Sequence, residues 1–345
     1  MESSMHDAHF TLSRSAVIAQ YKKIEHLGII AYSIKTNPLV TPILEENTTC
    51  HFHIHTMHDL QYVKNPDKVW YLLQGSSLED IKELVDKGVN KFIADNVVDL
   101  AVLQTFLNTA TTKIDLLLRL RMKEATMQTG RFFVFGMERH IIEKQIATLR
   151  PHEKIRKLGV HFHRKTQNIS EWNIQHDVQL SDDALKNIDI LDIGGGLPAR
   201  YKNTSDANLP NIMNKIEDAR QWLQQYNIEL MIEPGRFLSA SPIKLHTTIQ
   251  AVYDHNIIIN ASVYNAAMDS ILVTPIRLLV EEEESKGESY VIKGCTPDSM
   301  DVFRYGVKLM TPPKKGDKIT FLNAGAYNFS TNYYGLPTLK TVIID

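Results

Sequence analysis

Residues 188–196 read IDILDIGGG, and after an intervening segment residues 228–236 read IELMIEPGR. Each begins with a short apolar run that stops at glycine or proline, the mark of a buried strand. Residues 211–226 between them have helical spacing, so the stretch reads strand–helix–strand. The same alternation recurs upstream. Strand-like runs lie at 29–34, 51–55, 69–73, 91–94, 114–120 and 158–163, making eight with the two just quoted. Helical patterns separate most of them. Residues 77–87 (SLEDIKELVDK) are the clearest, with Ser77 as N-cap, Asp80 three residues later and Gly88 at the stop. Eight β/α units predict an α/β fold, a closed (β/α)8 TIM barrel over about 25–245. Beyond 245 the pattern becomes alternating runs without a long helix, which predicts a second, β-rich domain over 246–345.

The bulk numbers agree with an ordinary enzyme. The chain has 345 residues, 43% hydrophobic and 23% charged, with a formal net charge of −2. No basic excess exists to drive nucleic-acid or anionic-membrane binding, so recognition of any phosphate must be local. No apolar stretch has transmembrane length, and the first residues lack a signal-peptide pattern. Cys50 and Cys295 are the only cysteines, which makes no disulfide framework and points to a reducing cytoplasm.

Barrels of this kind place chemistry at the C-terminal ends of their strands. Lys35 ends the first run, Arg119 the fifth, and His161 and His163 the sixth. Gly194, Gly195 and Gly196 follow the seventh, and Glu233-Pro234-Gly235-Arg236 the eighth. Loops after strands seven and eight commonly bind phosphate: glycine lets backbone N–H groups approach the anion, and Arg236 can add a bidentate contact. A lysine after a buried strand is costly as an ammonium, and a Schiff base removes that cost. A carboxylate after strand eight can pair with a pyridine nitrogen. Singly, a lysine in an apolar run is an ordinary surface residue, GGG a turn and EPGR a turn. Their joint placement outweighs those readings.

In order, the motifs YSIKTNP, LLLRL, GVHFH, LDIGGGLP, EPGRF, GCTPDSMDVF and NAGAYNFSTNYYG run from residue 32 to 335. With them the sequence resembles the alanine-racemase-fold decarboxylases that use pyridoxal 5′-phosphate (PLP), the group of the ornithine/lysine, diaminopimelate and carboxynorspermidine enzymes. The resemblance implies a PLP-dependent carboxy-lyase, with polyamine biosynthesis as its setting. It implies that Lys35 holds the cofactor as a Schiff base and that His163 stacks on its ring. Gly194 to Gly196, Arg236 and Tyr327 would hold the phosphate with Thr166 as a helper, and Gly235 would complete the turn. Glu233 would pair with the pyridine nitrogen, and Arg119 would order the site near Lys35. It further implies a homodimer with shared active sites, in which Asp298 and Tyr333 serve the neighbour's substrate. Residues 1–24 would join 246–345 in a β-barrel-like domain.

Three departures stand out. Where the family reads G-P-T-C-D-S-x-D, residues 294–301 read GCTPDSMD, so Cys295 and Pro297 have exchanged places. The family cysteine protonates the product carbon. Here Cys295 does so from a reshaped loop, or Tyr333, His163, Lys35 or water does. Next, His53 replaces a family aspartate in a strand where His51, His53 and His55 alternate. That pattern suggests a metal site, but polar filling near PLP is preferred and no metal is expected. Third, residues 260–264 read NASVY where ornithine-type enzymes carry N-D-G-V-Y, so a carboxylate for the distal ammonium is missing. Asp298 and Asp269 are the candidate replacements. Two other readings remain: an amino-acid racemase, which would carry arginine in place of Glu233, and an inactive binding protein of the antizyme-inhibitor kind.

Overall fold

The computed structural model describes residues 7–122, 135–272, 276–328 and 331–345. After β1 (His9–Ser13) come β2 (Ile29–Ser33), β3 (His51–Ile54), β4 (Val69–Leu73), β5 (Lys91–Ala94), β6 (Ile114–Arg119), β7 (Ile155–His161), β8 (Ile190–Asp192) and β9 (Glu229–Ile232). Strands β2 to β9 close in sequence order into a parallel barrel. Helices return the chain between most of them. Leu78–Asp86 carries the capping box expected at Ser77 and Asp80, and Gly88 follows at φ 93°. Leu209–Gln224 is the longest, with Ile212, Ile216, Ala219 and Leu223 buried at helical spacing.

Period-two alternation along the strands builds levels inside the barrel. Ala31, Trp70, Ile93, Leu117, Ile190 and Met231 form a buried apolar cluster. Gly159 makes room at this level, since a Cβ there would lie 2.3 Å from the Ile190 carbonyl oxygen. Two residues further along, β4 has the apolar Leu72, but the other strands place Ser33, Asp95, Arg119, His161, Asp192 and Glu233 there, with His53 of β3 beside them, all buried and all polar. Two residues back from Ile93, Leu117, Gly159 and Met231 are Lys91, Asp115, Lys157 and Glu229, and two back from His53 is His51, at the start of β3. On β5, β6 and β9 an apolar residue therefore separates two polar ones.

The second unit is β-rich. It comprises Met1–Ala19, Ala199–Asp206 and Arg236–Asp345, and the barrel unit is Gln20–Pro198 with Ala207–Gly235. Its strands are β10 (Ile243–Tyr253), β11 (Asn256–Ile259), β12 (Leu279–Val280), β13 (Glu288–Lys293), β14 (Val302–Leu309), β15 (Lys318–Leu322) and β16 (Lys340–Ile344). They run in the order β12-β15-β10-β11-β13-β14, with β1 joining β10 to β16. Residues 257–264 (IIINASVY) have a strand-like pattern, but the strand stops at Ile259. Ser262 and Asn265 form a capping box that turns Val263–Ala266 into helix instead.

Candidate active site

The C-terminal polar layer of the barrel centres on Glu233. His53 Nε2 lies 3.5 Å from Glu233 Oε1, and His161 Nε2 lies 3.5 Å from Oε2. The two imidazoles are nearly parallel, 11° apart with centroids separated by 6.4 Å. Asp192 completes the group: one ligand atom each from His161, Asp192 and Glu233 all lie within 4.8 Å of one another. Burial pushes His53 down to about 4, so it is neutral at pH 7. Burial alone would raise the Glu233 pKa, but His53, His161 and His163 outweigh it and hold the carboxylate well below its usual range. Asp192 moves the other way, pushed well above the usual value by burial and by the Glu233 charge. Glu233 is therefore the ionised member of the pair.

The glycine loop after β8 is fitted to this layer. The Gly194 N–H donates to Asp192 Oδ1 at 2.8 Å, and the Gly194 carbonyl accepts from the Glu233 N–H at 2.8 Å. The Gly195 N–H donates to His163 Nδ1 at 3.2 Å, which places the ring proton of neutral His163 on Nε2. Burial pushes His163 down to about 3. A Cβ on Gly194 would meet His163 Nδ1 at 2.8 Å, and one on Gly195 the Glu233 carbonyl oxygen at 2.6 Å. Gly235 allows a similar approach, because a Cβ there would strike Thr36 Oγ1 in the turn that carries Lys35. Arg119 Nη1 donates to Asp95 Oδ1 at 2.9 Å, a buried pair beside the histidines.

Lys35 stands in a single 3-10 turn, Ile34–Thr36, directly after β2. Its neighbours Ile34 and Thr36 are buried, but its own side chain is exposed. The expected cost of burying its ammonium does not arise; its position at the strand end is what singles it out. Thr166 is also exposed. The three alternating histidines do not converge. His51 sits at the opposite end of the barrel and His55 lies beyond the strand, 4.0 Å from Asp59, so only His53 joins the Glu233 group.

In the β-rich unit, Arg236 is buried and its fork is already engaged. Nη2 donates to Asp269 Oδ1 at 3.0 Å, Nη1 donates to the other Asp269 oxygen, and Nη1 also donates to Tyr201 Oη at 3.0 Å. The guanidinium lies over the Tyr327 ring, 5.1 Å from its centroid, so two expected phosphate residues do come together. The bidentate contact expected for phosphate goes to Asp269 instead. Asp269 is thereby corrected as an ammonium partner, since it is fully buried against a cation of its own.

Asp298 and Tyr333 also meet in a cluster. Tyr334 Oη donates to Asp298 Oδ2 at 3.3 Å, and the ring centroids of Tyr333 and Tyr334 are 4.3 Å apart. Tyr264 lies within 5.3 Å of both rings. Burial and the Asp298 carboxylate push the Tyr264 phenol up to about 12. The loop bearing Cys295 is organised by Asp301, which accepts from the Val263 and Thr296 N–H groups at 2.8 and 3.0 Å. Cys295 is exposed, and partial burial with the Asp301 charge raises its thiol pKa.

Residues 18–240 match the family described as "Pyridoxal-dependent decarboxylase, pyridoxal binding domain". The chain belongs to the pyridoxal-dependent decarboxylases. Membership makes it a carboxy-lyase with PLP as cofactor. Among curated relatives, the diaminopimelate decarboxylase of Aquifex aeolicus is 23% identical, over 94% of this chain and 83% of its own length. That of Pseudomonas fluorescens is 29% identical over 45% of this chain, a match covering 38% of that protein. The ornithine decarboxylase of Schizosaccharomyces pombe is 25% identical over 81% of this chain and 68% of its own length. Lysine/ornithine decarboxylase from Vibrio vulnificus, solved with putrescine, shares the fold at TM-score 0.82 and 19% identity, covering 99% and 95% of the two chains. The Paramecium bursaria Chlorella virus arginine decarboxylase does so at 0.80 and 21%, covering 99% and 98%.

The residues of this decarboxylase fit PLP. Glu233 Oε1 is buried without a hydrogen-bond partner, which suits an acceptor for the N–H of a pyridinium. The glycine loop leaves no room for side chains beside this layer. Sequence reading missed His53 and Asp192 as partners of Glu233, Tyr201 and Asp269 as partners of Arg236, and Tyr264 and Tyr334 beside Asp298. Strand parity carried the signal for the first two, since both share the inward phase of Glu233.

Proposed function

We propose that this enzyme decarboxylates a diamino acid or a larger amine-containing amino acid, of the ornithine/lysine or carboxynorspermidine kind. The observation that carries the reading is the ionised, partly unsatisfied Glu233 held among buried histidines at the mouth of a barrel whose first strand ends in Lys35. PLP, when bound, supplies an electron sink for the carbanion left when carbon dioxide departs. Lys35 is the covalent attachment point. Glu233 would retain the proton on the ring nitrogen, and neutral His163 would face the ring. Gly194 to Gly196, Arg236 and Tyr327 serve the phosphate, with Thr166 and Gly235 beside them, and Arg119 orders the barrel end.

For substrate, the cluster of Asp298, Tyr264, Tyr333 and Tyr334 suits a distal ammonium, which a carboxylate and aromatic faces both attract. Ala261 is buried and offers no carboxylate, consistent with a longer substrate than ornithine. The chain acts as a homodimer in which this cluster serves the partner's site. Cys295, a protonated thiol at pH 7, is assigned as donor to the product carbon. A panel of diamino acids and aminoalkyl conjugates, read by released carbon dioxide and product mass, tests the function. Amine formed from one of them supports it; no carbon dioxide from any of them with PLP bound refutes it. The racemase alternative is disfavoured, because a carboxylate rather than arginine stands at position 233.

A further inference from the structure

Two buried carboxylates, Asp192 and Glu233, face each other inside the barrel, and a pair this close in low dielectric carries one charge between them. Which one carries it decides whether the ring nitrogen of a bound cofactor meets an acceptor or a neutral acid. The donors are unequally shared. Asp192 Oδ1 receives one backbone N–H, from Gly194. Glu233 has an imidazole Nε2 at each oxygen, His53 on one side and His161 on the other. Asp192 Oδ2, Glu233 Oε1 and His53 Nε2 are all buried without a hydrogen-bond partner. No other titratable side chain of β3, β7 or β8 stands at this level, apart from His163 just beyond β7. Arg119, paired with Asp95, acts on Asp192, and Lys35 acts on the histidines.

We propose that His53 is a positioning residue: by presenting Nε2 to Glu233 Oε1 it places the shared negative charge on Glu233 and leaves the proton on Asp192. The proposal rests on the reading of Glu233 as the pyridine partner. An aspartate at position 53, as in the resembling family, would bring a third carboxylate; histidine brings a neutral donor. Asp192 then acts as a proton store beside Glu233, and the ring nitrogen meets an ionised acceptor.

The test uses the holoprotein and a PLP analogue whose ring nitrogen is replaced by carbon. Affinity for PLP over this analogue reads the Glu233–nitrogen contact without any turnover, and the 15N resonance of labelled PLP reports protonation of the ring nitrogen directly. The unmodified protein should prefer PLP by on the order of 10–100-fold, as expected for a charge-assisted hydrogen bond. His53→Leu should reduce that preference by about 2–10-fold, the value of one polar neighbour beside the carboxylate, and move the 15N resonance toward the unprotonated position. His53→Gln, whose amide nitrogen reaches the place of Nε2, should restore both. His53→Asn, whose amide stops at the place of Nδ1, should not, so the Gln–Asn contrast still decides if the Leu variant fails to fold. In a Glu233→Gln background the His53 substitutions should have no further effect on the preference. Unchanged preference and 15N position in the Leu and Asn variants would overturn the assignment of His53. Failure of the unmodified protein to bind PLP at Lys35 would overturn the underlying reading instead.

Discussion

The two ends of the barrel are both polar but differently satisfied. At the N-terminal rim Lys91, Asp115, Arg156, Lys157 and Glu229 all have partners. Lys91 donates to Asp67 Oδ1 at 3.1 Å, Arg156 grips Asp115 through two bonds of 2.7 and 2.9 Å, and Lys157 pairs with Glu229. His51 Nδ1 is the one orphan among these side chains. At the C-terminal end His53 Nε2, both nitrogens of His161, Asp192 Oδ2 and Glu233 Oε1 are buried without hydrogen bonds. A buried polar atom without a partner costs about 1–3 kcal/mol, so five of them on one level are not a neutral feature of folding. The rim stabilises the barrel; the opposite layer holds capacity for a molecule the chain itself does not contain.

The sharpest break between the two ends should come from removing one charge at each. Glu233→Gln should still bind PLP but lose about 10²–10³ in turnover, as with other preorganised charges. Steady-state kinetics on the preferred substrate would show it, and near-normal turnover would take Glu233 out of the mechanism. Asp115→Asn at the rim should do the reverse. Arg156 is half-exposed and can return to water, so denaturant melts should show a loss of about 1–3 kcal/mol while kcat stays within about twofold.

Acid should destabilise both ends together. His51 and His53 are pushed down to about 4 and His163 to about 3, each by burial first. An unfolded histidine titrates near 6.5, so from there down to about pH 4 unfolding takes up protons that the folded chain refuses. Stability is full above 6.5 and falls as pH drops through this window, by up to about 1.4 kcal/mol per pH unit for each histidine. His51→Gln should remove one histidine's share of that slope in urea midpoints between pH 6.5 and 4.5, with turnover unaffected. A slope identical to the parent's would mean that His51 is solvated after all. The smallest effect belongs to the rim's edge: Lys157→Met should change stability by no more than about 1 kcal/mol, because its partner Glu229 is half-exposed.

Much of this organisation was legible in the sequence. Short apolar runs separated by helical spacing specify eight parallel strands, because burial on both faces demands such runs. Gly194 to Gly196 were read as positions where backbone approaches an anion; a Cβ at each of them, or at Gly235, would press on backbone or on the Lys35 turn. What escaped depends on neighbours in space. Asp192 looks like one polar residue in an apolar run, and only the barrel register shows that it faces His161 across β7 and β8. Arg236 looked available for phosphate because its partner Asp269 is 33 residues away. Asp301 gave no sign that it would tie the loop of Cys295 to the start of a helical turn.

The account depends most on Lys35, an exposed side chain at the end of β2 and the only covalent link it assigns to the cofactor. Borohydride reduction of the PLP-loaded protein, followed by peptide mass mapping, tests it directly. The account predicts a single stable pyridoxyl adduct on Lys35, absent from Lys35→Ala. An adduct confined to another lysine, or none on a protein that binds PLP and releases carbon dioxide, would contradict it.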